Sequence, residues 1–195
     1  MMSTASIQHH GNSFPLGATL SCDGANFSVY AKHNAAAQLL LFDHVDDPEP
    51  SRVIHLDPQS NRTYHHWHAF VLGVKTGQLY GYRIAEPFDP VRGLRFDPNK
   101  VLLDPSAKCI ARPAARSREA TLRPGGNTAT ALRNVVADPG AYDWEGDEPL
   151  RRPFTKTIIY EMHVGGFTGH PSSGVAPAKR GTYAGLLSSA PRRNP

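Results

Sequence analysis

The tightest constraint on this chain is the position of its last strand-like segment. Thr157-Ile-Ile-Tyr-Glu-Met-His-Val-Gly-Gly-Phe167 carries Ile158, Ile159, Met162, Val164 and Phe167 in a short apolar run. Gly165-Gly166 and the loop His170-Pro-Ser-Ser-Gly174 close it, so the pattern predicts a strand followed by a turn. Near-continuous apolar runs suit strands covered on both faces, as in a parallel sheet flanked by helices. A closed β/α barrel takes about 250 residues. This chain has 195 in all, and only Thr155 to Pro195 are left for such a barrel. The segment therefore reads as the first strand of a barrel that is not completed here.

The preceding residues read as short strands separated by turns. Asp23-Gly24 is a hairpin signal between Ala18-Thr19-Leu20 and the alternating run Asn26 to Lys32. In that run Phe27, Val29 and Ala31 share one face, and Asn26, Ser28, Tyr30 and Lys32 the other. Gln38-Leu-Leu-Leu-Phe42 has the apolar density of a central strand. Val53 to Leu56, Trp67 to Leu72 and Gln78 to Ile84 follow, parted by Asp57-Pro58 and by Gly73 to Gly77. This spacing predicts an all-β, immunoglobulin-like β-sandwich of about 100 residues. It spans residues 14–110, after a disordered tail at 1–13. Residues 111–154, rich in Ala, Arg, Thr and Gly, read as an irregular linker.

Charge and cysteine content narrow the function classes. The net charge is +4, but Arg112, Arg116, Arg118, Arg123 and Arg133 lie in a segment poor in aromatics. A nucleic-acid face joins basic residues to stacking aromatics on one element, so no nucleic-acid partner is expected. No apolar run is long enough to span a membrane, and the first residues lack the pattern of a secretory signal. Cys22 and Cys109 are too few for a disulfide framework and have no metal spacing. The expected setting is cytoplasmic, with no cofactor and no metal.

Several side-chain groups invite chemistry. His65-His66-Trp67-His68 resembles a metal cluster, yet on a strand His66 and His68 share a face while His65 points away, and no further ligand sits at suitable spacing. The glycines at 165–166 and 169–174 lack the spacing of a phosphate loop. Glu161 and His163 share a face of the expected strand, His163 nearer the end where barrel chemistry takes place. Trp67, Tyr80, Tyr82 and Tyr64 offer flat aromatic faces that suit a pyranose ring, although packing in the sandwich is the competing use of each. The candidate sugar contacts are Trp67, Tyr80, Tyr82 and His163; no catalytic residue is assigned.

Taken in order, the segments resemble the N-terminal portion of glycogen-debranching, isoamylase-type enzymes of the alpha-amylase superfamily, glycoside hydrolase family 13. The resemblance rests on Pro15-Leu-Gly-Ala-Thr19, Asn26-Phe-Ser-Val29, Leu39-Leu-Leu-Phe-Asp43, Trp67-His-Ala-Phe-Val71 and Gly77-Gln-Leu-Tyr-Gly-Tyr-Arg83. It continues through Arg95-Phe-Asp-Pro-Asn-Lys-Val-Leu-Leu-Asp-Pro105, Ile158-Ile-Tyr-Glu-Met-His-Val164 and Arg180-Gly-Thr-Tyr-Ala-Gly-Leu186. It implies an early-set sandwich of the carbohydrate-binding module family 48 kind, followed by a (β/α)8 barrel that hydrolyses α-1,6 branch linkages in glycogen. The two carboxyl groups of such a retaining hydrolase stand about 5 Å apart and belong, by the resemblance, to later barrel strands. The chain is accordingly expected to bind glycogen or another branched α-glucan and to be inactive alone. The alternatives are a stand-alone glucan-binding module and a structural domain without sugar binding.

Three positions depart from the family pattern. Gly165 stands where Arg is usual, and Ser106 where Tyr is common. After Leu186 the sequence Leu187-Ser-Ser-Ala-Pro-Arg-Arg-Asn-Pro195 replaces an apolar helix, which prolines cannot continue. A truncated or frame-shifted coding sequence is the expectation. Ile158 to Val164, without neighbouring strands, is expected to promote aggregation.

Overall fold

A computed structural model of the chain describes residues 7–32, 36–85, 89–93 and 97–189. Two compact units divide it, residues 1–143 and 144–195. The first is a two-sheet sandwich. Its strands are β1 (Ile7–His9), β2 (Gly17–Leu20), β3 (Gly24–Tyr30), β4 (Ala36–Phe42), β5 (Arg52–Leu56), β6 (Arg62–Thr63), β7 (His66–Leu72), β8 (Leu79–Ala85), β9 (Cys109–Ala111) and β10 (Arg133–Val135). One sheet has the order β1-β7-β3-β2 with β6 alongside β7, and the other β5-β4-β8-β10-β9. Every pairing is antiparallel.

Alternation in the strands builds the core as expected. Phe27 and Val29 of β3 meet Trp67, Ala69 and Val71 of β7, with Leu39, Leu41, Tyr80, Tyr82 and Ile84 from the opposing sheet. β4 lies between β5 and β8, and its near-continuous apolar run is explained by a second cluster. Leu40 and Phe42 point away from the main core and pack with Leu79, Val101 and Ala131. Residues 97–131 thus cover the outer face of the second sheet. Gly81 permits this, because a Cβ there would meet Val101 Cγ1 at 2.7 Å. Leu102 then exchanges backbone hydrogen bonds with Tyr82.

The sandwich is larger than the sequence indicated at both ends. Residues 7–13 of the expected tail join the sandwich: β1 pairs with β7, and His10 to Ser13 lie over the outer face of the first sheet. Asn12 and Asn26 exchange two hydrogen bonds, from the Asn12 amide to Asn26 Oδ1 at 2.7 Å and from Asn26 Nδ2 to the Asn12 carbonyl at 2.9 Å. Ser28 Oγ donates to the Ser13 carbonyl at 2.7 Å, and His68 Nδ1 lies 2.6 Å from the His10 carbonyl. Gly11, at φ 74°, sits so close to Ala69 that a Cβ would approach its backbone to 2.6 Å. The outward polar residues Asn26, Ser28 and His68 are therefore buried, each against a backbone partner.

The other extension runs through the expected linker. β10 pairs with β8 and with β9, and Val136 is fully buried in the main core. Arg133, also fully buried, anchors this stretch without a carboxylate in contact. Its guanidinium stands 3.8 Å above the Phe42 ring and donates to the carbonyls of Ala131, Asp47 and Thr128. Burial holds its pKa below the usual arginine value, opposed by the charge of Asp47. A mixed Ala/Arg/Thr composition hides such an element, because its largest interior side chain is an arginine.

In the second unit the expected barrel strand is absent. Residues 157–163 form no ladder, and Val164–Phe167 is a short helix instead. Ile158, Ile159 and Tyr160 are exposed. A strand exists through its hydrogen-bonded neighbours, and among the described residues this segment has none. Thr168 and Val175 are buried there, Thr168 Oγ1 accepting from the Gly181 amide at 2.9 Å. A helix covers Tyr183–Ser189; the proline-rich end, 190–195, lies outside the described residues, as do Phe88 and Phe96.

Candidate functional site

Three of the four expected glucan contacts prove to be core residues. Trp67 and Tyr80 have no exposed surface and Tyr82 has 2%, so none presents a ring face to a ligand. Tyr80 meets Phe27 edge to face at 5.0 Å and Tyr82 at 6.0 Å. Its hydroxyl donates to Asp104 Oδ2 at 2.9 Å, and Asp104 also accepts from the Ser106 amide. Burial, and then the neighbouring carboxylate charge, raises both tyrosine pKa values. Burial raises that of Asp104, against the pull of those two hydrogen bonds. This cluster ties β8 to the 97–131 cover. The fourth candidate, His163, is exposed in the second unit and caps the helix Val164–Phe167, its Nδ1 accepting from the Gly166 amide at 2.9 Å. The expected strand face shared by Glu161 and His163 does not form.

The histidines at 65–68 separate in the same way. His68 is buried between the His10 carbonyl and Thr63 Oγ1, at 2.6 and 2.9 Å. Among the described residues no three His, Cys, Asp or Glu side chains gather as a metal site.

What the sandwich does expose is an aromatic ledge where β3 ends and β6 turns into β7. Thr63 pairs with His66, so Tyr64 and His65 form a two-residue hairpin loop. Tyr64 is at φ 55° and 87% exposed. Tyr30 pairs across the ladder with His66, is half exposed, and packs nearly perpendicular to His65 and His66 at 5.9 and 5.4 Å. The loop is held rather than free. Arg62 Nε donates to the Tyr64 carbonyl at 2.8 Å and its terminal nitrogen to the Lys32 carbonyl at 3.2 Å, while the guanidinium lies 5.1 Å from the Trp67 ring. The Ala31 amide donates to the His65 carbonyl. Alternation alone places Tyr30 on the outer face of β3, but the two-residue loop has no glycine to advertise it, so its geometry is hidden in the sequence.

A cleft of about 880 Å3 opens elsewhere, between residues 97–102 and 121–127. Its polar side chains are engaged by its own walls: Asp97 accepts from the Asn99 and Gly125 amides, Lys100 Nζ donates to the carbonyls of Ala120 and Arg123, and Asn127 Oδ1 accepts from the Val101 amide. These bonds build the outer cover of the sheet.

Comparison with known proteins agrees with this architecture. Residues 15–107 match the family described as carbohydrate-binding module 48, the isoamylase N-terminal domain. The chain is 42% identical over 182 residues to a glycogen debranching enzyme of Serratia proteamaculans, covering 90% of this chain and 26% of that protein. It is 41% identical over 177 residues to isoamylase 1, chloroplastic, of Oryza sativa subsp. japonica, covering 89% and 21%. The chain thus spans about a quarter of the length of the curated relatives it matches. Among solved structures, a pullulanase from Bacillus acidopullulyticus superposes with a TM-score of 0.57 at 22% identity, over 91% of this chain and 19% of that one. A multi-modular glycogen-degrading pneumococcal virulence factor gives 0.62 at 17% identity, over 93% and 18%. At these identities the structural likeness shows fold alone.

Proposed function

We propose, from the match of residues 15–107 to the family described as carbohydrate-binding module 48, that the chain is the glucan-binding N-terminal portion of an α-1,6-debranching glycoside hydrolase. The observation that carries the reading is the coincidence of the family match with the sandwich, together with about 40% identity to a glycogen debranching enzyme and an isoamylase over nine-tenths of the chain. Its contribution is to hold branched α-glucan; hydrolysis is not assigned to these residues. The two exposed, unpaired cysteines, Cys22 and Cys109, fit a reducing, cytoplasmic setting. Among the described residues no helix is long and apolar enough to cross a membrane.

Native electrophoresis through gels with and without glycogen tests binding, and assay of reducing ends from a branched glucan tests hydrolysis. Retardation by glycogen without release of reducing ends is the expected result. Release of reducing ends by the pure chain would overturn the division of labour. A second reading, a structural domain without sugar binding, is favoured by one observation: the rings that looked most like a sugar platform, Trp67, Tyr80 and Tyr82, are interior. Unretarded migration at every glycogen concentration supports that reading instead.

A further inference from the structure

We propose that the ledge of Tyr30, Tyr64, His65 and His66 is the α-glucan contact of this sandwich, taking a linear α-1,4-linked stretch by stacking against Tyr64 and Tyr30. This rests on the reading of the chain as a glucan-binding module and assigns the place where binding occurs.

Conformation supplies the first argument. Tyr64 occupies the left-handed region at φ 55°, where a bulky side chain is an outlier and glycine is the ordinary choice for a hairpin loop of two residues. A residue held there against its preference points to a use for its side chain. The ring makes no compensating burial, since it is 87% exposed.

Preorganisation supplies the second. Arg62 clamps the Tyr64 carbonyl, and the perpendicular packing of Tyr30 with both imidazoles restrains its ring. Binding to a loop backbone and a Tyr30 ring already in place loses less conformational entropy. The arm leaves the ledge open: His10 to Ser13 are bonded over Asn26, Ser28 and His68, while Tyr30 and Tyr64 stay exposed.

Chemistry supplies the third. Aromatic faces meet the C–H face of a pyranose, while tyrosine hydroxyls and imidazole nitrogens reach its hydroxyl groups. None of the four ledge residues carries a carboxylate, and the expected ligand is uncharged, so binding should hold at high salt. A polyanion held by Lys32 and Arg62 would instead be released.

The test uses the full chain, glycogen and a linear maltooligosaccharide, with binding read by affinity electrophoresis and by titration calorimetry. Tyr64→Gly separates folding from binding: it relieves the positive φ, so its unfolding midpoint should match or exceed that of the unsubstituted chain. Its affinity for glycogen should fall about tenfold, the ratio expected on losing roughly 1.4 kcal/mol of contact. Tyr30→Ala should act in the same direction, and Tyr64→Phe should retain most of the affinity. If the unsubstituted chain binds and both Tyr64→Gly and Tyr30→Ala bind equally well, the ledge is not the contact, although the glucan-binding reading stands. Affinity that collapses with salt also overturns the proposal. If the unsubstituted chain binds no glucan, the ledge and the underlying reading fall together.

Discussion

Asp104 shows how much one residue can do inside a sandwich with few buried charges. It is nearly fully buried, accepts from Tyr80 and the Ser106 amide, and its pKa is raised by burial. A carboxyl group that holds its proton more tightly when folded contributes stability that is complete below the unfolded pKa, near 4, and is lost as pH rises through the folded value. Asp104→Asn removes the titration, its Oδ1 still accepting from the Ser106 amide while its Nδ2 donates to the Tyr80 hydroxyl oxygen. Its stability relative to the unsubstituted chain should therefore improve as pH rises from about 4. Urea unfolding across that range measures it, and a constant difference would mean that Asp104 titrates as an exposed carboxyl does. Asp57 and Asp97 work in the opposite sense. Backbone amides of Gln59 for the first, and of Asn99 and Gly125 for the second, lower their pKa values, so whatever they add is lost as pH falls.

At the scale of elements, the N-terminal arm and β10 carry the differences between expectation and structure. The arm has few large apolar residues, and no sequence pattern marks it. It is held by hydrogen bonds to outward polar groups, which alternation assigns to solvent. Removing residues 1–13 would leave Asn26, Ser28 and His68 without their backbone partners. The four bonds from His10, Asn12 and Ser13 are each worth about 0.5–1.5 kcal/mol net, so the loss should be roughly 2–6 kcal/mol. Chemical denaturation of the shortened chain checks this, and an unchanged midpoint would mean the arm lies on the sheet without stabilising it. The segment at 157–163 is the converse case. Its β-branched, apolar character was legible, but a strand requires partners, and pattern supplies only the tendency to pair.

At the scale of the whole molecule, the two units differ in how they bury apolar surface. The sandwich has a continuous core, whereas the second unit exposes Ile158, Ile159, Tyr160, Phe167, Tyr183 and Leu187. Apolar residues in such number on a short stretch favour association. A chain ending at Pro153 should stay monomeric at concentrations where the full chain scatters light, with the unfolding midpoint of the sandwich unchanged. Equal scattering from the two would place the sticky surface on the sandwich itself.

The succession of strands, the inward face of β3, the central position of β4 and the likeness to carbohydrate-binding module 48 could all be read from residue order, because alternation, turn chemistry and collinear motifs are local properties. The placement of aromatic rings could not. Trp67, Tyr80 and Tyr82 share with Tyr64 and Tyr30 the chemistry that suits a sugar, and only the packing of two sheets buried the first three and left the other two open. Burial is a property of what lies opposite a side chain, and that neighbour is set by the folded chain as a whole.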